Sequence, residues 1–294
     1  MSPTPSVPPN SMRPKTLGRR RRNRWQLAPN YALLVLLTVT ALGPVLVLAF
    51  NSLKSEADIG RNPLGPPATF LWQNYVRAWE IGGFATTSLN SLFLVIGTVL
   101  LVLLLTGPAA YSIAKLQPPG VVGLIAYFFV ASTLPLFLFL VPLFYLWIKL
   151  GLYNNLFGLV LLYTAFNSPF AIFLLRSYLV GLPKSLEDAA QVDGANDFQV
   201  FTRVIVPLAW PAFLTVGLVV ALNVWNEYLL ATVFLSDQEK FTVVTSYQNF
   251  STRFSQDWSL TSAAAMMMVL PILATFFALQ RQFIEGLTQG SVKG

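Results

Sequence analysis

Long apolar stretches separated by short polar ones dominate the pattern of this chain. A helix needs about 20 mostly apolar residues to cross the hydrocarbon core of a bilayer. Six segments meet that requirement: 31–53, 88–111, 121–147, 155–180, 207–235 and 260–283. The pattern predicts an all-α membrane protein with six transmembrane helices. Arginines ahead of the first apolar run also suit a secretory signal. That run is longer than a typical signal core, however, and no small-x-small cleavage site follows it. It reads as an uncleaved first span. Residues 1–30, rich in Pro, Ser and Arg, are expected to be a disordered basic tail. A polar loop at 181–206 joins spans four and five, and residues 284–294 form a C-terminal tail.

Composition agrees. Only 11% of residues are charged and 55% are hydrophobic, where a soluble domain carries about a quarter charged residues. Cysteine and histidine are both absent. This removes disulfides, thiol nucleophiles, imidazole bases and the usual zinc ligands together. No metal site or catalytic residue is expected.

The net charge of +7 is unevenly placed, with seven of the nineteen Lys and Arg lying between Arg13 and Arg24. Basic residues just before a span fit cytoplasmic retention and contact with anionic membrane lipid, and no nucleic-acid partner is expected. With the N-terminus inside, the inner regions hold thirteen Lys and Arg and the outer loops six. The bias predicts cytoplasmic N- and C-termini and a cytoplasmic 181–206 loop.

Pro44, Pro108, Pro135, Pro142, Pro169 and Pro271 all fall inside predicted spans. Each removes a backbone donor, so a neighbouring helix or water must satisfy the freed carbonyl. They read either as ordinary kinks in a packed bundle or as shapers of a pathway or hinge. In the longest outer loop, 54–85, Leu71, Trp72, Tyr75, Val76 and Trp79 recur at helical spacing. Such a helix suits the membrane interface.

The polar loop holds the densest local signals. Ser185 is placed to cap a short helix, with Asp188 completing an S-x-x-D box. Leu186, Ala189 and Ala190 share one helical face, and the two alanines keep that face low enough for a partner to approach closely. Glu187 and Asp188 suit the positive end of the helix dipole. Asp193-Gly194 then breaks the helix, glycine being free to take positive φ. Asn196 is placed to cap a second helix, with Gln199 in the reciprocal position. Phe198, Phe201 and Val204 or Ile205 recur at helical spacing before Pro207 begins the next span. Two readings stay open: a rigid acidic elbow passing force into spans four and five, or a solvated interhelical loop.

The stretch resembles the EAA loop of ABC-importer permeases, whose pattern is E-A-A, three residues, G, nine residues, then I-x-L-P. Here it reads Asp188-Ala189-Ala190, Gly194, Val204, Val206 and Pro207, with Asp for Glu and Val for Ile and Leu. Glu187 restores a carboxylate beside the first position. The wider chain is similar to the MalG-type subunit of carbohydrate-importing ABC transporters. The resemblance is carried by NSLFLVIGTVLL at 90–101, AYSIAKL at 110–116, KLGLYNN at 149–155, SLEDAAQVDGA at 185–195, WNEYLLA at 225–231 and GLTQGSVKG at 286–294.

The resemblance implies an ABC importer type I permease fold and four kinds of partner. These are a second, MalF-like permease subunit, two ABC ATPase subunits, an extracytoplasmic solute-binding protein and lipid. It implies that Glu187, Asp188, Ala189, Ala190, Asp193 and Gly194 form the coupling element seated on the ATPase. It also implies that Gly290, Val292, Lys293 and Gly294 of the tail reach between the ATPase subunits. The chain has no G-x-x-x-x-G-K-[ST] phosphate loop. ATP and Mg are therefore assigned to the partner ATPase subunits, and no cofactor to this chain.

Glu227 is the one acidic residue inside a predicted span. An unpaired carboxylate there costs roughly 2.5–3.5 kcal/mol. It should face the bundle or a water-filled cavity, satisfied by Asn223, Asn226 or a partner subunit. Asn223, Trp225, Asn226 and Glu227 are candidate pathway-lining residues, Trp225 offering a stacking face to a sugar. A buried hydrogen bond within the bundle accounts for Glu227 equally well. The expected function is a permease subunit for a sugar or oligosaccharide. A polyol or glycerol-phosphate cargo, or a non-transporting scaffold or sensor, are the alternatives.

Overall fold

The computed structural model describes the backbone of residues 28–289, which divide into two units between Leu46 and Val47. The basic segment before Ala28 and the tail residues Gly290, Val292, Lys293 and Gly294 lie outside the described residues. Among the described residues every regular element is helical. Helix α1 (Ala28–Asn51) ends the N-terminal apolar run, and two short helices follow, α2 (Glu56–Arg61) and α3 (Gln73–Ile81). Next come α4 (Phe84–Tyr111), the bent pair α5 (Val121–Thr133) and α6 (Leu136–Lys149), and α7 (Leu156–Val180). The polar loop contains α8 (Ser185–Val192) and α9 (Asp197–Val200), followed by α10 (Val206–Leu208) and α11 (Trp210–Trp225). The chain continues through α12 (Leu229–Phe234) and α13 (Val243–Arg253) to α14 (Trp258–Gln289).

Four helical stretches are long and apolar enough to span a membrane alone: Pro29–Asn51, Phe84–Leu116, Leu156–Val180 and Trp258–Ala278. The number reaches six when each of two bent pairs is one span. The stretch expected as a single span at 121–147 is bent by 94° between α5 and α6. The cause is local. Pro135 disfavours helical backbone at Leu134, and both residues are extended, with ψ of 131° and 130°. The second bend, 76°, falls at Ala209 just before Pro211 at the start of α11. The expected fifth span, 207–235, is also interrupted at Asn226–Tyr228, between α11 and α12.

The core is built where α4, α7 and α11 meet. Leu94 and Val102 of α4 pack in one cluster with Leu159 and Tyr163 of α7 and Val216 and Val220 of α11. Helix α4 buries small and polar residues, Ser91, Thr98, Thr106 and Gly107, along the same face. Small residues let membrane helices approach closely. A Cβ at Gly107 would stand 2.9 Å from the Phe213 ring of α11. A second cluster gathers Ala78 of α3, Phe84, Val243 and Phe250 of α13, and Leu260, Ala263 and Ala264 of α14.

Several connections between helices are ordered by side chains that bond backbone groups. Lys54 is fully buried, and its Nζ donates to Asn62 O at 2.6 Å and Asn51 Oδ1 at 3.0 Å. Glu56 Oε1 accepts from Ser259 N and Oγ at 2.6 and 2.9 Å, capping α14 from the start of α2. Asn154, at φ +53°, accepts from Ser236 N and Asp237 N and donates to Asp237 Oδ2 at 2.6 Å. Lys240 Nζ donates to the same oxygen at 2.9 Å. These bonds from Lys240 and Asn154 hold the Asp237 carboxyl below its ordinary range.

A lowered carboxyl pKa contributes order above the ordinary carboxylate range and loses it as pH falls through the lowered value. Amide exchange at Ser236 and Asp237 should therefore stay slow at neutral pH and accelerate, beyond the intrinsic trend, only on strong acidification. Asn154→Ala should lose that protection at neutral pH. Unchanged exchange in the variant would show that Asn154 does not organise this loop.

Candidate functional site

The polar loop between α7 and α10 folds as a tight elbow. Helix α8 begins at Ser185, but Ser185 does not cap it: the capping position is Lys184, itself in helical conformation, with no side-chain cap bond. The expected S-x-x-D box therefore does not form. Pro183 lies immediately ahead, its carbonyl accepting from Leu186 N at 3.4 Å, so the turn starts one residue early. The helix ends as its sequence suggests. Gly194 takes φ +85°, Ala195 N donates to Ala190 O, and Gly194 N donates to Gln191 O, each at 3.0 Å. This paired closure is the Schellman arrangement, which satisfies the last carbonyls of a helix.

Asn196 then caps α9 in a complete box. Its Oδ1 accepts from Gln199 N at 2.9 Å, and Gln199 Oε1 accepts from Asn196 N at 3.0 Å. Gln191 Nε2 donates to Asp197 Oδ1 at 3.2 Å across the corner. A π-helical turn, Phe201–Ile205, carries the chain onward with Phe201 and Ile205 buried. Each joint of the elbow is thus closed by its own hydrogen bonds.

The predicted coupling residues do not share one environment. Glu187 is buried, and its Oε1 lies 2.8 Å from Lys115 Nζ, both side chains being 8% exposed. Lys115 belongs to the π-helical turn Ser112–Leu116 that prolongs α4. Asp188, Ala189, Asp193 and Gly194 are exposed, while Ala190 packs against the main core cluster. The elbow also presents apolar side chains to the outside, Val192 at 87% exposure and Phe198 at 72%. Lys115, Val192 and Phe198 were not singled out from the sequence as site residues. Lys115 had one signal, as the lone cation at the end of span two, but its partner lies far along the chain.

The residues around Glu227 occupy the break between α11 and α12. The carboxylate accepts from Leu230 N at 2.7 Å and Ala231 N at 3.0 Å, capping α12, and from Tyr163 Oη at 2.6 Å. Its partners are thus Tyr163 and two backbone amides, not Asn223 or Asn226. Asn223 Nδ2 donates to Asn167 Oδ1 at 3.2 Å, and Asn226 Nδ2 bonds its own helix at Leu222 O. Both asparagines are exposed. Trp225 packs at the second cluster, its Nε1 donating to Met268 O at 3.2 Å.

The chain is similar to known proteins along most of its length. A family described as "Binding-protein-dependent transport system inner membrane component" matches residues 107–288. The chain belongs to that family. The diacetylchitobiose uptake system permease protein NgcG of Streptomyces coelicolor is 33% identical, over 90% of this chain and 89% of the relative. The trehalose transport system permease protein SugB of Mycobacterium tuberculosis is 32% identical, over 95% of this chain and 100% of the relative. A crystal structure of a bacterial ABC transporter involved in the import of the acidic polysaccharide alginate contains a similar chain. Its TM-score is 0.75 and its identity 28%, covering 90% of this chain and 98% of that one. The protein is thus a permease subunit of an ABC importer, held in the membrane by several apolar helices. It is not an enzyme, and ATP hydrolysis belongs to a separate subunit.

A Cβ at position 194 would meet nothing within 4 Å, so a substitution there is opposed by backbone conformation alone. Gly194→Ala should loosen the elbow by about 1–2 kcal/mol, the left-handed penalty of an L-residue. Hydrogen exchange at Gln191–Asn196 should rise accordingly in the purified permease. Wild-type exchange would mean the corner does not need its glycine.

Proposed function

We propose that this permease imports a sugar or oligosaccharide and is driven through the elbow by an ABC ATPase pair. The elbow's shape carries the reading. A hydrogen-bonded corner exposing Leu186, Val192 and Phe198 beside a membrane bundle is costly to leave bare, and suits a partner's groove. Asp188, Ala189, Asp193 and Gly194 lie on the exposed part of the same corner. Together with Glu187 and Ala190 they make up the coupling element; Glu187 and Ala190 face inward and hold the corner in place, and the exposed members meet the partner. ATP-driven closure of the ATPase pair would move this corner and turn the pathway from inward-open to outward-open.

The topology of this reading has both termini in the cytoplasm, supported by the Lys and Arg bias. The tail at Gly290, Val292, Lys293 and Gly294 then enters the ATPase pair from the same side. A second, MalF-like permease completes the pathway, and a solute-binding protein delivers cargo from outside.

For the cargo, relatives named for diacetylchitobiose and trehalose support a carbohydrate. The apolar helices carry no Lys or Arg in their middle turns, which disfavours a phosphorylated cargo such as glycerol-phosphate. Asn223 and Asn226, exposed amides on α11, are suited to sugar hydroxyls, and Glu227 keeps the break beside them folded. Trp225, turned to Met268, supports the wall of the pathway.

Two measurements test this reading. Val192→Asp and Phe198→Asp should each weaken ATPase co-purification about tenfold, the effect of losing a 1–2 kcal/mol interface anchor. Unchanged association would remove the elbow as the docking element. In proteoliposomes holding the complete transporter and its binding protein, labelled neutral disaccharides should accumulate with ATP and labelled glycerol-phosphate should not. The reverse selectivity would overturn the carbohydrate assignment.

A further inference from the structure

The elbow is covalently joined to α7 through Pro183 and to α11 through α10, so sequence order alone sends force into those two helices. The structure adds a third connection. Lys115, in the turn that prolongs α4, pairs with Glu187 in the first turn of α8 at 2.8 Å. The same ammonium donates to Leu182 O at 2.7 Å, where α7 gives way to the elbow. Tyr111, one turn earlier on α4, stacks its ring on Phe201 of the elbow at 5.3 Å between centroids. The second Phe201 contact is closer still to the helix backbone: a Cβ at Gly107 would stand 3.5 Å from Phe201 Cζ.

We propose that the Lys115–Glu187 pair is a latch that carries the elbow's motion into α4. This rests on the elbow being the ATPase-driven element. Its physical basis is burial. A solvated ion pair exchanges partners with water at little cost and would let the helices slip past one another. Here both side chains are 8% exposed, so sliding α8 along α4 would strand two charges in a poorly hydrated interior. Separating a buried pair is far more costly than separating a surface one. The elbow and the end of α4 therefore move as one body. Helix α4 packs against both α7 and α11 in the central cluster, so motion received there reaches the middle of the bundle. Glu187, being turned inward, is a positioning residue for coupling, and the ATPase meets the exposed residues around it.

The test uses the complete reconstituted transporter and measures ATPase co-purification, ATP hydrolysis and transport per ATP. Glu187→Gln and Lys115→Met should both retain bound ATPase while transport per ATP falls about fivefold. Combining them should add little, and the swap Lys115→Glu with Glu187→Lys should recover most of the loss. Wild-type coupling in E187Q, or a swap that assembles without recovery, would overturn the latch. Should E187Q not assemble, the swap decides: an assembled, transporting swap supports the latch, and one that fails to assemble overturns it. Loss of ATPase binding in Val192→Asp but not in the latch variants separates docking from transmission. If Val192→Asp and Phe198→Asp leave binding intact, the docking reading fails independently of the latch.

Discussion

Backbone groups inside a bilayer have no water to bond, so each place where a helix stops must supply its own partners. The break between α11 and α12 answers that constraint, and helix ends in the connections between spans are closed by the same means. Where α11 ends, the Glu227 carboxylate takes up two amides of α12 and the Tyr163 hydroxyl. Where α7 begins, Asn155 accepts from Phe157 N and Gly158 N. Where α14 begins, Glu56 arrives from α2, distant in sequence. A Thr242–Thr245 box serves α13 in the same way, and Ser91 of α4 accepts from Val243 N beside it. Polar side chains at these points hold the architecture together before any question of cargo arises.

The same constraint separates what was readable in the sequence from what was not. Long apolar runs have few alternatives to helix, so the helical character of the apolar segments was legible, and the Asn196–Gln199 box and Gly194 corner were legible as local chemistry. The sharp bend of α5 against α6 was not. Pro135 signals a kink, but a proline alone does not say that the chain extends through both Leu134 and Pro135 and turns by 94°. Ser185 shows the opposite failure. Its S-x-x-D spacing is correct for a box, yet Pro183 starts the turn early and leaves Ser185 inside the helix. Glu227 looked like a mid-span carboxylate that needed side-chain partners, because nothing local marks the break at Asn226–Tyr228 whose amides it caps.

The candidate site divides along the same line. Residues close in sequence made a visible elbow, whereas the burial of Glu187 depends on Lys115, far along the chain. A carboxylate in a first helical turn has a sufficient local explanation in the helix dipole. Only the tertiary fold shows that this one also meets a cation from another helix. Asp188, its neighbour, is exposed instead.

The order of synthesis gives that pair one more property. Lys115 is made with α4, and Glu187 follows only after α5, α6 and α7. Until the elbow folds, Lys115 is therefore an uncompensated positive charge at the end of a newly made span. Such a charge biases which side of the membrane a helix end is held on. One ammonium group is thus suited first to biasing the insertion of α4 and later to pairing with Glu187.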